Sequence, residues 1–594
     1  MYQSYTATTS PEQGPGRLAQ LRAAMAERGI DAFLVPRADA HQGEYVAPCD
    51  ERLAWLTGFT GSAGFAIVTA GIAGIFVDGR YRVQVRAQVA DAFTPVDWPE
   101  TQPGPWLIEH LPKGARVAYD PWLHTKDEIA RLKKSVRDHL TLSPTANLVD
   151  AIWSDRPHPP AGKVRSLTTA QTGEGSVSKR ARMAEDLTTA GHRAVVLTLP
   201  DSISWLLNIR GTDIPRNPVV QAFAILHDNG HVDLFTSPEK LAPLGPDPAI
   251  TVHAPDRFEA ALRSLDGPVR VDRKTAPMAV SSILQEAEIE VAWGDDPCIL
   301  AKATKTDAEI AGTREAHLRD AAAMVEFLAW LDRTAPLGTL TEIDAATALE
   351  GDRRATNALL DISFDTISGA GPNGAIVHYR VTEETNRQIK PGELYLVDSG
   401  GQYLDGTTDI TRTVAIGRVP KEARDPFTRV LQGMIAISTA RFPKGLAGRD
   451  LDALARAALW RAGLDYDHGT GHGVGVYLNV HEGPQRLSRI SDVPLEPGMI
   501  LSNEPGYYRE GAFGIRIENL IVVKEAGPLG DNRKHLDFET LTWVPIDTRL
   551  VAAEMLAPWE RDWLNAYHAG VRDRVAPRVS SDARDWLIHA TQPI

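Results

Sequence analysis

Twice in its last third the chain sets a Pro-Gly pair ahead of a short apolar run that ends in an acid: Pro391-Gly392-Glu-Leu-Tyr-Leu-Val-Asp398 and Pro497-Gly498-Met-Ile-Leu-Ser-Asn-Glu504. In both copies the acid stands six residues after the glycine. A second acid follows on the next predicted strand, Asp409 after Asp398 and Glu518 after Glu504, so the pattern predicts two copies of a two-acid hairpin. Between the copies lies His468-Gly-Thr-Gly-His472-Gly, where glycines leave room for imidazoles to reach a shared centre. Carboxylates gathered in a low dielectric repel one another and need protons or cations to hold them together. A pair of divalent cations about 3.5–4 Å apart meets that need, sharing bridging carboxylates and a water whose pKa falls toward neutrality. Such a site favours hydrolysis of a carbonyl or phosphoryl compound. Carboxylate oxygens with one imidazole suit Mn²⁺, Co²⁺ or Zn²⁺, and the sequence does not rank the three.

Register constrains the first hairpin. A two-residue turn at Asp405-Gly406 would put Asp409 across from Gln402, about four residues from Asp398 and too far to share an ion. The sequence therefore predicts a bend or bulge near Gly400-Gly401 that carries Asp398 back toward Asp409.

At 594 residues the chain needs several hydrophobic cores. Its 77 acids against 63 Lys and Arg, a formal charge of −14, argue against a general nucleic-acid or membrane-surface binder. Cys49 and Cys298 match no metal spacing and fit a reducing compartment. The first residues lack a basic start and an apolar stretch, and no apolar run is long enough to span a bilayer, so a cytoplasmic location is expected.

The first half reads as a weak duplication. Residues 17–28 suggest an amphipathic helix, 32–35 a buried strand, 53–57 around Trp55 a return segment, and 65–69 with 74–77 a hairpin. The order recurs as a helix over 182–190, a strand over 194–199, a second tryptophan segment at Trp205, and a hairpin of 221–227 and 231–236 about Asn229-Gly230, a type I′ signal. Asp155-Arg-Pro-His-Pro-Pro160 marks the linker between the copies. Thr306-Asp-Ala-Glu309 predicts a capping box opening a helix with Ile310, His317, Ala321, Met324, Leu328 and Leu331 on one face. A helix over 450–462, capped by Asp450 and stopped by Gly463, and a last helix with Trp559, Trp563, Tyr567 and Val571 in a packing stripe complete the pattern. The predicted architecture is α/β, with domains over 1–154, 155–304 and 305–594, the last ending in a helical tail.

Two other motifs are set aside. Gly369-Ala-Gly-Pro-Asn-Gly374 satisfies the dinucleotide fingerprint, but Pro372 and the β-rich Ala375-Ile-Val-His-Tyr379 predict a loop entering a strand rather than a helix. Ser62 in Gly61-Ser-Ala-Gly64 lacks the nucleophile-elbow pattern.

With Asp398, Asp409, His472, Glu504 and Glu518 in this order, the last third resembles the pita-bread metallopeptidases, whose halves are related by a pseudo-twofold. Gly-Pro-Asn-Gly-Ala-Ile-Val-His378-Tyr, Thr408-Asp409-Ile-Thr-Arg-Thr, His468-Gly-Thr-Gly-His472-Gly, Val480-His481-Glu-Gly-Pro, Asn503-Glu504-Pro-Gly-Tyr-Tyr and Gly514-Ile-Arg516-Ile-Glu518-Asn are similar to the Xaa-Pro aminopeptidases, the aminopeptidase P family. Asp39-Ala-His-Gln-Gly-Glu-Tyr and Gly58-Phe-Thr-Gly-Ser-Ala-Gly extend the resemblance to the long three-domain cytosolic form, and so does the ending Asp585-Trp-Leu-Ile-His-Ala-Thr-Gln-Pro-Ile. The resemblance implies two creatinase-N-like domains before a pita-bread catalytic domain. It implies two divalent metal ions, Mn²⁺ foremost, with Asp398 on one, His472 and Glu504 on the other, and Asp409 and Glu518 bridging. The implied activity is hydrolysis of the N-terminal Xaa-Pro bond through a metal-bridging hydroxide, with Glu504 as proton shuttle. His378, His468 and His481 become non-ligand active-site residues. His378 and His481 are candidates to bond the substrate carbonyl or oxyanion, and Arg516 to orient carboxylates. The implied partners are peptides with proline second, with no nucleic acid or membrane, and a second copy of the chain in a homodimer. A prolidase limited to dipeptides, and a metal-free peptide-binding module on the same scaffold, are the alternatives.

Overall fold

Apolar runs launched by Pro391-Gly392 and Pro497-Gly498 become strands, and each strand turns back on itself. In the computed structural model, which describes residues 1–528, 530 and 532–594, the first hairpin pairs Leu394–Ser399 with Ile410–Ala415, Asp398 standing across from Thr411 and Ser399 from Ile410. It continues as Gly401–Tyr403 against Gly406–Thr407, with Gln402 across from Thr407. One register runs through both stretches, so Gly400 faces Asp409 and no residue is added. Of the expected bend or bulge, the bulge is absent, and the chain instead breaks from one sheet to another at Gly400. The turn falls on Leu404-Asp405, one residue earlier than Gly406 suggests, and that shift alone makes Asp398 and Asp409 diagonal neighbours on one face.

A change of sheet takes place at Gly400. The first stretch joins Ile367–Ala370 in a three-stranded sheet, and the second joins Asp361–Ile362 in another. A Cβ at Gly400 would meet the Thr408 carbonyl at 1.9 Å, so a side chain there would push the strands apart.

The second hairpin repeats the device. Ile500–Asn503 pairs with Asn519–Ala526 inside a six-stranded sheet, and Gly506–Arg509 pairs with Phe513–Arg516 in a separate two-stranded ribbon. Asn503 faces Asn519 and Gly506 faces Arg516, which sets Glu504 directly across from Glu518 at the crossing. In both hairpins the acids sit where the chain leaves one sheet for the next.

Contacts divide the described residues into two compact units, one of 1–7, 170–173 and 300–594, the other of 8–169 and 174–299. The first holds both hairpins. Its helix Asp307–Thr334 starts at the expected capping box: the Thr306 hydroxyl accepts from Glu309 N, and Glu309 accepts from Thr306 N. Met324, Leu328 and Leu331 on that helix pack with Leu394, Val397, Phe427, Leu431 and Leu564. Helix Gly448–Trp460 begins earlier than predicted, and Asp450 caps it from inside, accepting from Ala447 N at 2.8 Å. In the last helix, Pro558–Val575, Trp563 stacks on Tyr567 and Val571 is buried, whereas Trp559 remains half exposed.

The second unit contains the duplication as two six-stranded sheets of one topology. Ala32–Pro36 runs antiparallel to Phe65–Thr69 and parallel to Arg116–Tyr119; Ala194–Leu197 does the same with Phe223–His227 and Val269–Val271. The two tryptophan segments are short helices, Arg52–Thr57 and Pro200–Leu206. The Asn229-Gly230 hairpin is not type I′: Gly230 N bonds His227 O, His227 N bonds His231 O, and of the loop residues Asp228, Asn229 and Gly230 only the glycine takes positive φ, a three-residue turn with a glycine bulge. Among the described residues no helix is long and apolar enough to cross a membrane.

Candidate metal centre

His472 is the central strand residue of Gly471–Gly473, pressed between Ile500–Asn503 and Glu482–Leu487. A Cβ on Gly471 would meet Ser502 O at 1.9 Å, and one on Gly473 would meet Glu482 O at 2.4 Å, which is why glycine flanks this imidazole. Its Nδ1 donates to the Gly473 carbonyl at 2.8 Å, since a carbonyl only accepts. When the ring is neutral it presents the Nε2 lone pair, 3.4 Å from Asp409 Oδ2 and 3.5 Å from Glu504 Oε1. Asp409, His472 and Glu518 each bring a donor atom within 4.8 Å of the others.

Asp398 Oδ2 is held by Arg516 Nη2 at 2.6 Å, and Glu518 Oε2 accepts from the Thr411 hydroxyl at 2.7 Å. The other oxygens, Asp398 Oδ1 and Glu518 Oε1, are buried without a hydrogen-bond donor among the described residues. An orphaned buried carboxylate oxygen costs several times an ordinary hydrogen bond, and two aimed beside a lone pair would be untenable without positive charge. Donors sharing one cation at roughly 2.1 Å stand about 3–3.5 Å apart, which the imidazole contacts match. The residues fit a pair of divalent cations.

The protonation equilibria carry the same strain. Burial pushes Asp398 up to about 6, with Arg516 pulling it back and Asp409 adding to the rise. Burial likewise raises Asp409 to about 6. Glu504 is raised by burial against the opposing pull of His472, and Glu518 is raised well above the carboxylate range by burial and then by repulsion from Asp409. All four resist ionisation until cations compensate them.

Around the acids, Arg516 donates to Asp398, to Tyr508 Oη at 2.6 Å, to Thr411 Oγ1 at 3.1 Å and to the Val377 carbonyl at 3.3 Å. The Val377 bond ties in the segment bearing His378, which follows a one-turn 3₁₀ helix, Gly371–Ala375, and is a turn rather than the predicted strand. His481 stands edge-on to His472 with ring centroids 4.3 Å apart. His468 is one step removed, its Nε2 2.9 Å from Tyr508 Oη. The sequence places Thr411 on the face of Asp409 without giving it a role, and it does not mark Tyr508 or Ser502, whose hydroxyl donates to Glu504 Oε1 at 3.0 Å. Thr411 and Tyr508 do lie at even spacing from Asp409 and Glu504, the one local signal available.

Paired acids and one imidazole, buried at the crossings of two related hairpins, define a dinuclear metallohydrolase site on a mixed α/β scaffold. Residues 311–525 match metallopeptidase family M24, residues 534–594 its C-terminal region, and residues 17–152 and 155–309 each match the creatinase/prolidase N-terminal domain. Aminopeptidase P2 of Arabidopsis thaliana is 40% identical, the match covering 97% of this chain and 88% of that one. A probable Xaa-Pro aminopeptidase P of Aspergillus niger is 39% identical over 97% of this chain and 98% of its own. The X-prolyl aminopeptidase of Caenorhabditis elegans, described as a cytosolic enzyme with a di-nuclear active site, superposes with a TM-score of 0.92 at 35% identity, covering 98% of this chain and all of that one. The chain belongs to the M24 metallopeptidases, within the Xaa-Pro aminopeptidase P family.

Proposed function

We propose that this chain hydrolyses the bond between the first residue of a peptide and a proline at the second position, using two divalent cations, with Mn²⁺ foremost. The observation that carries the reading is the convergence of Asp409, His472 and Glu518, with Asp398 and Glu504 beside them, in a chain whose full-length relatives are named Xaa-Pro aminopeptidase P. Asp398 would hold one cation, His472 and Glu504 the other, with Asp409 and Glu518 shared. Bound there, the cations supply a Lewis acid for the scissile carbonyl and acidify a water.

The side chains divide the remaining work. Arg516 fixes Asp398 with one arm of its fork and Tyr508 with the other, so the carboxylate keeps one oxygen facing the centre. Thr411 does the same for Glu518, and Ser502 for Glu504. Glu504, its proton affinity raised by burial, takes a proton from the attacking water and passes it to the departing proline nitrogen. His378 and His481 offer N–H donors to the carbonyl oxygen as charge grows on it. His468, through Tyr508, belongs with them as an active-site histidine.

The reading includes a cytoplasmic homodimer, supported by the cytosolic description of the Caenorhabditis elegans enzyme and by half-exposed Trp559 on the last helix. It also includes the division at 154/155 and 304/305, near which the matched domains change.

The test is hydrolysis by metal-stripped protein reloaded with Mn²⁺, Co²⁺ or Zn²⁺ singly, comparing Arg-Pro-Pro with Arg-Ala-Pro and with the dipeptide Ala-Pro. Metal-dependent cleavage of Arg-Pro-Pro but not Arg-Ala-Pro is expected. Cleavage of Ala-Pro alone would make the chain a prolidase, and no metal-stimulated cleavage of any of the three would defeat the reading.

A further inference from the structure

Behind His481 lies a charge cluster that the chemistry above does not use. Glu482 is 2% exposed, and both its oxygens meet ammonium groups: Lys302 Nζ stands 2.9 Å from Oε2, and Lys305 Nζ contacts Oε1. Both lysines are buried, Lys302 in the last turn of helix Pro297–Ala303 and Lys305 in the short link from it to helix Asp307–Thr334. A fourth buried charge, Glu309 in the first turn of the latter helix, also attracts Lys305. Each ion is costly to desolvate, and apolar side chains of similar volume commonly fill such a space at no loss of stability. What an ion cluster adds is direction.

The directions converge on the two imidazoles. Glu482 follows His481 and pairs across the ladder with Gly473, the residue after His472, at the point where the register between the strands slips. The Glu482 carbonyl lies so close to Gly473 that no side chain fits between them. His472 and His481 are thus each one residue from a single backbone contact, and the Glu482 carboxylate on one side of that contact is clamped from two directions. Lys305 reaches the opposite side as well: its backbone N donates to Gly498 O at 3.1 Å, at the foot of the strand that ends beside Glu504.

We propose that Lys302, Lys305 and Glu482 act as positioning residues, holding His481 edge-on against His472 so that the histidine meets the substrate oxygen in register with the metal centre. The proposal rests on the peptidase reading for its kinetic consequence, though not for its geometric one.

The experiment uses the full-length, Mn²⁺-loaded chain as Glu482→Gln, as Lys305→Met, and as a triple variant Lys302→Met, Lys305→Met, Glu482→Leu that removes the charges while keeping the volume. The triple variant guards against Glu482→Gln failing to fold around unpaired ammoniums. Expected are a melting temperature in the triple variant close to the unsubstituted chain, turnover of Arg-Pro-Pro lowered about tenfold or more, and KM changed less than about threefold. Lys305→Arg, which keeps the charge, should recover part of the loss. The imidazole resonances of His472 and His481, read by NMR with ¹³C-labelled histidine in chains loaded with diamagnetic Zn²⁺ in place of Mn²⁺, should move in the triple variant. Unmoved resonances overturn the clamp whatever the kinetics, and so does unchanged turnover in a well-folded triple variant. A parent chain that cleaves no Xaa-Pro peptide would defeat the peptidase reading instead, with the resonances still deciding the clamp.

Discussion

Thr411 donates its hydroxyl to Glu518 at 2.7 Å, and these two residues hold the same place in the two halves of the site: Thr411 directly across its hairpin from Asp398, Glu518 directly across from Glu504. Asp409 and Arg516 correspond in the same way, each lying diagonal to the first acid of its hairpin. On the second strand of each hairpin the pseudo-twofold therefore relates places and not side chains. Where one half puts an acid the other puts the group that steadies an acid.

Thr411→Val tests that exchange. The hydroxyl also accepts from Arg516 Nε at 3.1 Å, so an isosteric apolar side chain leaves a buried guanidinium N–H and a buried carboxylate oxygen short of partners. A loss of about 1–3 kcal/mol in chemical denaturation is expected, with turnover lowered, while Thr411→Ser should retain most of both. Equal stability of the valine and serine variants would contradict the assignment.

Arg516→Lys keeps the charge and loses the fork. One ammonium has no means of spanning Asp398, Tyr508 Oη, Thr411 Oγ1 and Val377 O in the geometry a planar guanidinium reaches. Turnover should fall about 10–100-fold with the protein still folded. Tyr508→Phe, which removes only the link from Arg516 to His468, should cost less than about 1.5 kcal/mol of stability. Kinetics and melts on the pair decide it, a lysine variant of full activity being the contrary result.

The acids were legible because spacing from a Pro-Gly pair is a local signal, and the register was not because it depends on a distant partner. Glycine's turn preference favoured Asp405-Gly406, but Asp405 is gripped by both terminal nitrogens of Arg319 on helix Asp307–Thr334, at 2.9 and 3.0 Å, and the turn settles on Leu404-Asp405. The same limit hid Glu342, which reads locally as an ordinary first-turn helix acid. Folded, it is fully buried and accepts from Ala370 N, Asn373 Nδ2, Tyr379 Oη and Arg387 N, organising the loop that bears His378. Periodicity likewise gave the Asn229-Gly230 hairpin its place but not its turn type. Local pattern locates elements, and tertiary contact sets their phase.

Asp409→Asn separates the electrostatic cost of the centre from its use. Asp409 raises the proton affinity of Glu518, Glu504 and Asp398, so removing its charge relieves the metal-free protein. The stripped variant should melt at or above the stripped parent, while its metal content, measured by mass spectrometry, should fall from about two ions per chain toward one, with activity lost. In Mn²⁺ the order of melting temperatures should reverse, since the parent gains more from binding. Two tightly held ions in the asparagine variant would refute the shared role of this carboxylate.

Asp296 offers a pH test in the other compact unit. Burial pushes its carboxyl from the usual 3.8 up to about 6, although Cys298 N donates to it at 2.8 Å, and Asp201 and Asp272 add repulsion. A folded-state pKa above the unfolded value means that the contribution is fully present below about pH 4 and is lost as pH rises through 6. Asp296→Asn keeps the acceptor for Cys298 N and removes the titration. The two proteins should therefore be closest in stability near pH 4, and the asparagine variant should gain on the parent by roughly 2–3 kcal/mol by pH 7.5. Thermal melts at half-unit intervals measure this directly, and a difference that stays flat from pH 4 to 7.5 would show that the Asp296 carboxyl titrates as it does in the unfolded chain.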